Sequence, residues 1–259
     1  DINTHTITIT VTTASGYTLT QTYDLVVTGT CISGNVLAIW SGDQRTSTDS
    51  TKFLGNITAY TDNASDNCGQ SYNLDCTPTN NYEYSGTNHV SENLHIGPET
   101  SADDAIMFFY NQYDNTTHTY LFWMFGKGGT SFSPTPNAVK LDVFVSNNAS
   151  QDSNPVDDDP GETDLISQSQ NATTGLYTSS YTGRYSYGSP RSDGGVIGPF
   201  SGSSYRIFVD RAGTSTIDSN TMGLGNLDSF KYWSKDNSSF SLGNVDNFTI
   251  GYKTSVTCQ

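Results

Sequence analysis

The residues best suited to chemistry are the carboxylates of one acidic segment, DSNPVDDDPGETD, at residues 152–164. Dense carboxylates on a loop suit Ca²⁺, a hard cation that takes about six to eight oxygen ligands. The spacing is not that of an EF-hand, because two prolines interrupt it and no glycine occupies the sixth position. The segment therefore predicts either a calcium site or a solvated acidic loop. The candidate ligands are Asp157, Asp158, Asp159 and Asp164.

Patterns typical of catalysis are missing from the sequence. The four histidines have no metal-ligand spacing, and no G-x-S-x-G nucleophile motif occurs. Glycoside hydrolysis needs two carboxylates about 5–10 Å apart across a cleft, and the four glutamates do not lie in a recognisable strand pair. We therefore expect no enzymatic activity, with a polysaccharide-active enzyme as the third of three interpretations.

A cluster of tyrosines, LYTSSYTGRYSYG at residues 176–188, offers a different chemistry. Aromatic rings can stack on sugar rings, and Tyr181, Tyr185 and Tyr187 share one face if this segment is a strand. A secreted carbohydrate-binding adhesin or lectin module is therefore the alternative function. The same tyrosines would also suit a Tyr-rich sandwich surface or a contact between subunits.

The cysteine pattern indicates an oxidising compartment. The four cysteines form no C-x-x-C motif, so two disulfides are favoured over a zinc site. Four cysteines allow three connectivities; we prefer Cys68 with Cys76, a local loop, which leaves Cys31 with Cys258. The chain begins at Asp1 without a methionine or an apolar leader. We interpret it as a processed, secreted product or as one that starts partway along its gene.

N-glycosylation fits the same extracellular compartment. Seven N-x-S/T acceptor sequences occur, although the abundance of serine and threonine would produce about as many by chance. The candidate acceptors are Asn56, Asn63, Asn115, Asn148, Asn171, Asn237 and Asn247. The non-protein groups that the sequence predicts are N-linked glycans and, on the alternative that the acidic segment is a metal site, calcium.

The charge and composition of the chain limit the classes of partner that it can bind. The chain has 11 basic and 26 acidic residues and a net charge of −15. Such a polyanion repels nucleic acid and anionic membranes, and no apolar run is long enough to span a bilayer. Glutamate and lysine are scarce, whereas 36 Thr, 33 Ser and 22 Asn are present, so helices are disfavoured.

Short strands separated by turn residues predict an all-β protein, a β-sandwich of jelly-roll type. Besides the N-terminal strand, the sequence predicts strands at Tyr17–Val27, Val36–Trp40, Phe53–Tyr60, Ala105–Tyr113, His118–Phe125, Val139–Val145, Tyr205–Arg211 and Asn247–Val256. The two strands around residues 114–117 should form a central hairpin. Residues 61–104 and 146–169 are predicted to be loops, and the three tryptophans to lie in the core.

The clearest strand is Thr4–Thr13, in which threonine alternates with other residues from Thr4 to Thr12. Its other face carries His5, Ile7, Ile9 and Val11. Ordering such a strand costs about 1–2 kcal/mol per residue, while burying each Ile or Val returns about 1.5–3 kcal/mol. The strand therefore needs a groove, in its own domain or in another chain. We predict an N-terminal β arm or hairpin at 1–30 and a sandwich body at 31–259.

The alternating segment ahead of a Ser/Thr/Asn-rich β domain resembles the subunits of extracellular glycosylated fibrils and pili. The resemblance implies assembly by donor-strand complementation, with residues 4–13 inserted into the next subunit of a linear homopolymer. In addition, Ile7–Val27 is similar to the last two strands of bacterial Ig-like or cadherin-like repeats. That second resemblance implies an ordinary hairpin within the chain.

Overall fold

The computed structural model describes the backbone in separate stretches, and every structural statement below concerns these residues. They are 3–27, 31–61, 82–85, 90–94, 104–111, 118–125, 137–152, 163–187, 193–210, 229–234, 239–241 and 247–258.

Seventeen strands make up almost all of this structure. In chain order they are β1 Asn3–Thr12, β2 Thr18–Val27, β3 Cys31–Ser41, β4 Phe53–Asn56, β5 Tyr60–Thr61, β6 Tyr82–Ser85, β7 Val90–Leu94, β8 Asp104–Asn111, β9 Thr119–Phe125, β10 Asn137–Asn148, β11 Thr163–Gln170, β12 Tyr177–Tyr187, β13 Asp193–Phe200, β14 Arg206–Asp210, β15 Ser229–Trp233, β16 Ser239–Ser241 and β17 Asn247–Cys258. The described part has one 3-10 turn, Ser50–Lys52, and no helix of the length and apolar character that a membrane span requires.

Contacts divide the chain into two units. The first comprises Asp1–Val36 with Lys253–Gln259, and the second is Leu37–Tyr252. The first unit contains the two-stranded β1–β2 sheet. The sequence-based boundary after residue 30 stays a prediction.

Two large sheets carry the rest of the fold. A seven-stranded sheet has the order β11-β12-β10-β14-β17-β3-β4, and a second sheet has the order β13-β9-β8-β15-β16 with β5 beside β8. Where the register of paired strands is described, the pairs are antiparallel except those of β8 with β5 and β15, which are parallel. A small sheet of β6 and β7 stands separately.

The main core lies between the two large sheets. It joins Leu141, Val143 and Ile207 of the larger sheet to Met107 and Leu121 of the smaller one. Every second residue of each strand points to the same face, so this contact identifies two sheets packed face to face. The predicted all-β sandwich is confirmed, and its jelly-roll connectivity stays a prediction.

The predicted central hairpin is also confirmed, since β8 and β9 pair from Ala105 opposite Phe125 to Asn111 opposite Thr119. The sequence is apolar on both faces here, and both faces are buried. Residues 105, 107 and 109 enter the main core, while 106, 108 and 110 enter a second apolar cluster. In that cluster the rings of Phe108 and Phe122 stack with centroids 5.2 Å apart.

Several sequence-based predictions are wrong in detail. The acidic segment 146–169, predicted as a loop, ends in strand β11, and residues 61–104 include the short strands β6 and β7. Phe53–Tyr60 is not one strand, because residues 57–59 separate β4 from β5. The tryptophan prediction is confirmed for Trp40 and Trp123, which are buried, while the side chain of Trp233 lies outside the described part.

Arginines cover aromatic rings on the outer face of the larger sheet. The guanidinium carbon of Arg206 lies 4.7 Å from the Trp40 ring centroid, and burial lowers the pKa of Arg206. Arg45 covers Phe208 at 4.7 Å and forms an ion pair with Asp43 at 2.6 Å. These rings are therefore in contact with cations of their own chain.

Candidate functional site

The hairpin formed by β1, residues 13–17 and β2 is called the N-terminal hairpin below. Its strands pair without interruption from Asn3 opposite Val27 to Thr12 opposite Thr18. At the turn, the amide of Thr13 donates to the carbonyl of Tyr17 at 2.8 Å, and Gly16 adopts a φ of 83°. Glycine takes this left-handed conformation without the steric cost of a Cβ. In the structure, β1 therefore pairs with β2 of its own chain, which is the predicted alternative of an intramolecular hairpin.

The two faces of the N-terminal hairpin differ in chemistry. One face carries threonines, whose hydroxyls meet across the strands at 3.3 Å in the pairs Thr10–Thr20 and Thr12–Thr18. The other face carries Ile9, Val11 and Leu19, which are 50%, 57% and 69% exposed. Val11 lies directly opposite Leu19. An exposed apolar row on one face of a two-stranded sheet is a surface suited to docking.

Of the predicted donor residues, Ile9 and Val11 lie on this apolar face. His5 and Ile7 belong to β1 opposite Leu25 and Tyr23, and their side chains lie outside the described part. The predicted donor role was assigned to residues 4–13 alone, although Leu19 of β2 shares this face. The alternation of β2 was a sufficient signal, because a hairpin turn brings the apolar faces of both strands together.

The open edges of the two large sheets differ strongly. Strands β4 and β16 have four and three residues, and β13 is buried along nearly all its length. Strand β11 has eight residues, of which five are exposed. Among the described edge strands of the sandwich, β11 is thus the one that is both long and largely exposed.

A buried polar cluster connects the ends of β10, β12 and β13. The Asp152 carboxylate accepts hydrogen bonds from the Tyr181 hydroxyl at 2.7 Å and from Asn148 Nδ2 at 2.5 Å. Asn148 Nδ2 also donates to the carbonyl of Pro199, and Asn148 Oδ1 accepts from the amide of Ser201. Burial raises the pKa of Asp152, although hydrogen bonds from Tyr181, Ser179 and Asn148 oppose the shift.

This cluster corrects the glycosylation prediction at Asn148. The side chain is fully buried, and Nδ2 donates to two partners inside the fold. A glycan on that nitrogen is incompatible with the folded chain. Asn56 and Asn171 are exposed, and Asn247 is half-buried. The acceptors outside the described residues are Asn63, Asn115 and Asn237.

The described residues do not form the predicted calcium site. Asp164 lies exposed on β11, and Asp157, Asp158 and Asp159 fall outside the described part. Within that part, no group of three His, Cys, Asp or Glu side chains is placed to hold a metal ion.

The tyrosine cluster lies on strand β12, and two of its rings are core residues of the sandwich. Tyr181 and Tyr185 are 2% and 0% exposed. The Tyr185 hydroxyl lies 2.8 Å from Thr163 Oγ1. Neither of these two rings is accessible to a sugar, which corrects their predicted role. The side chain of Tyr187 lies outside the described part, and the carbohydrate-binding alternative stays a prediction.

The predicted Cys31–Cys258 pair falls on neighbouring strands, since Cys31 begins β3 and Cys258 ends β17. The amide of Gly42 donates to the carbonyl of Asn247 at 3.0 Å. If the strands run antiparallel from this bond, eleven residues back along β3 and eleven forward along β17 lead to the two cysteines. The disulfide stays a prediction, as does Cys68–Cys76, which lies outside the described part.

Comparison of the chain with protein-family models, with curated proteins and with solved structures finds no match.

Proposed function

We propose that the protein is a structural subunit of an extracellular, glycosylated fibril. It polymerises head to tail when the N-terminal strand β1 inserts into the adjacent subunit. The role is assembly, without catalysis. The jelly-roll body, the two disulfides and glycans at the exposed acceptors belong to this proposal.

The observation that supports it is the exposed apolar row of Ile9, Val11 and Leu19 on the N-terminal hairpin. An isolated two-stranded hairpin is marginally stable in water. Fully burying one Ile, Val or Leu side chain contributes about 1.5–3 kcal/mol, and these three are already partly covered. Docking this face therefore stabilises the hairpin by a few kcal/mol.

The test is a pair of charge variants on the two faces of β1. In Ile9→Lys/Val11→Lys, two ammonium groups would have to be desolvated at the interface, so we expect the chain to remain monomeric. The matched control is Thr8→Lys/Thr10→Lys, which places the same charges on the threonine face of the same strand. Electron microscopy and analytical ultracentrifugation measure the outcome. Wild-type protein that stays monomeric at every concentration, or filaments of the Ile9/Val11 variant, would contradict the proposal.

A further inference from the structure

The open edge of β11 has the properties of a strand acceptor. It is hydrogen-bonded to β12 on one side and ends the seven-stranded sheet on the other. Edge strands usually carry Lys, Pro, a bulge or short lengths that prevent pairing with another chain. Strand β11 has one such bulge, at Ile166, and pairs regularly with β12 from Ser167 to Gln170. The segment Leu165–Gln170 of β11, LISQSQ, carries no charge and no proline.

One apolar side chain on this edge lacks cover. Ile166 is 60% exposed and lies at the irregularity between Leu165 and Ser167, where β11 carries one residue more than β12. Beyond it, the pairing is regular from Ser167 to Gln170. An incoming strand can therefore bury Ile166 without disturbing existing core contacts.

The chemistry of β11 matches that of β1. Hydroxyls meet across β11 and β12 at 2.7 Å between Ser167 and Ser180, as threonines do across β1 and β2. Strand β1 has ten residues and carries no Asp, Glu, Lys or Arg. In its two-stranded sheet it is paired along one edge, with β2. Among the described residues, neither this second edge of β1 nor the outer edge of β11 has a strand partner. The two strands have ten and eight residues, and the absence of charge on β1 leaves no charge repulsion between them.

We propose that the β11 edge is the acceptor that receives β1 of a second copy of this chain. This inference rests on the proposed function and names the surface on which it acts. The incoming hairpin adds β1 and β2 to the seven-stranded sheet, with backbone hydrogen bonds between β1 and β11. The donor and acceptor are different surfaces, so the contact is heterologous and repeats without closing.

A single charge on the acceptor tests the site. Ile166→Lys introduces an ammonium group at an already exposed position, so the fold should be retained with an unchanged Tm. We expect at least a tenfold rise in the concentration needed for filament formation. The matched control is Leu54→Lys on the β4 edge, where the side chain is 38% exposed; it should assemble as the wild type does.

A mixing experiment distinguishes this acceptor from the proposed function itself. The donor-defective Ile9→Lys/Val11→Lys chain retains its β11 edge, and the acceptor-defective Ile166→Lys chain retains its β1. Mixed, they should form heterodimers of about twice the 28.0 kDa chain mass and no longer species. Ultracentrifugation of each variant alone should show monomers.

The other possible results distinguish failure of the β11 acceptor from failure of the fibril function. Wild-type filaments together with normal assembly of Ile166→Lys, or equal impairment of Leu54→Lys, overturn the β11 acceptor and leave the fibril function standing. Wild-type filaments with no heterodimer in the mixture also overturn it. A wild-type chain that remains monomeric overturns the fibril function and this inference with it.

Discussion

Asp152 brings a carboxylate into the apolar end of the sandwich, where three elements meet. It accepts from Tyr181 and Asn148, and Asn148 in turn binds the chain after β13. A buried carboxylate is tolerated when donors compensate for the lost water. The cluster therefore ties the end of β10 to β12 and to residues 199–201.

The raised pKa of Asp152 predicts a particular pH dependence of stability. Below about pH 4, the ordinary range of an aspartate, the group is protonated in both states and its contribution is complete. As the pH rises, the unfolded chain loses this proton first, so the free energy of unfolding falls until the folded pKa is passed. In the Asp152→Asn variant, this pH-dependent contribution to the free energy of unfolding is absent. Urea titrations over a pH series should show the difference between wild type and variant shrinking as the pH rises.

Asp164→Asn serves as the control, because Asp164 is exposed on β11. A difference between wild type and Asp152→Asn that is constant with pH would contradict the prediction. The cluster itself was not predictable from sequence. Asn148 and Pro199 lie far apart in the chain, and only the packing of β10 against the end of β13 brings them together.

At the scale of elements, β13 shows how glycine permits a close strand pairing. A Cβ added to Gly194 would lie 2.2 Å from the backbone oxygen of Trp123 on β9. Gly194→Ala should therefore destabilise the protein by about 1–3 kcal/mol or more, since the backbone of β9 must move. Thermal or urea unfolding measures the loss.

The matched substitution is Gly34→Ala on β3, where an added Cβ meets no atom within 4 Å. We expect it to leave the unfolding midpoint almost unchanged. Equal losses in the two variants would show that the close approach at Gly194 does not limit stability.

The elements that sequence predicts well are those with a strong apolar pattern. The alternation in β1 locates that strand, and the aromatic runs of β8 and β9 locate two strands and their pairing with each other. Strand β11 was missed because its residues, TDLISQSQ, are polar and half exposed at a sheet edge. Strand β13, DGGVIGPF, was missed because glycine and proline usually mark turns.

The candidate site was predicted in part for the same reason. The donor-like strand is local in sequence and carries its own pattern, whereas the acceptor edge is defined only by which strand ends the sheet. Tyr181 and Tyr185 alternate with polar residues, as a half-buried strand should. Their identity as core side chains depended on the position of β12 inside the sheet.

At the scale of the whole molecule, the proposed assembly would have to overcome the net charge of −15 carried by each chain. The distance over which charges act is about 30 Å in 0.01 M salt and about 10 Å in 0.1 M. We therefore expect the rate of filament growth to rise tenfold or more between low and physiological ionic strength. Light scattering follows this rate.

The Ile166→Lys chain separates specific growth from salt-induced aggregation. It should scatter no more at high salt than at low salt. Growth of the wild type that slows as salt is added would show that opposite charges, and not uncharged strands, drive the contact.

The sheet that contains β8 has apolar clusters on both of its faces. Solvent reaches the middle of this strand from neither side, and β9 and β15 flank it within the sheet. Its backbone amides can exchange their hydrogens for deuterium only when the entire sandwich opens. We therefore expect the amides of β8 to be among the slowest to exchange in the described part of the chain, so that their exchange reports the free energy of global unfolding.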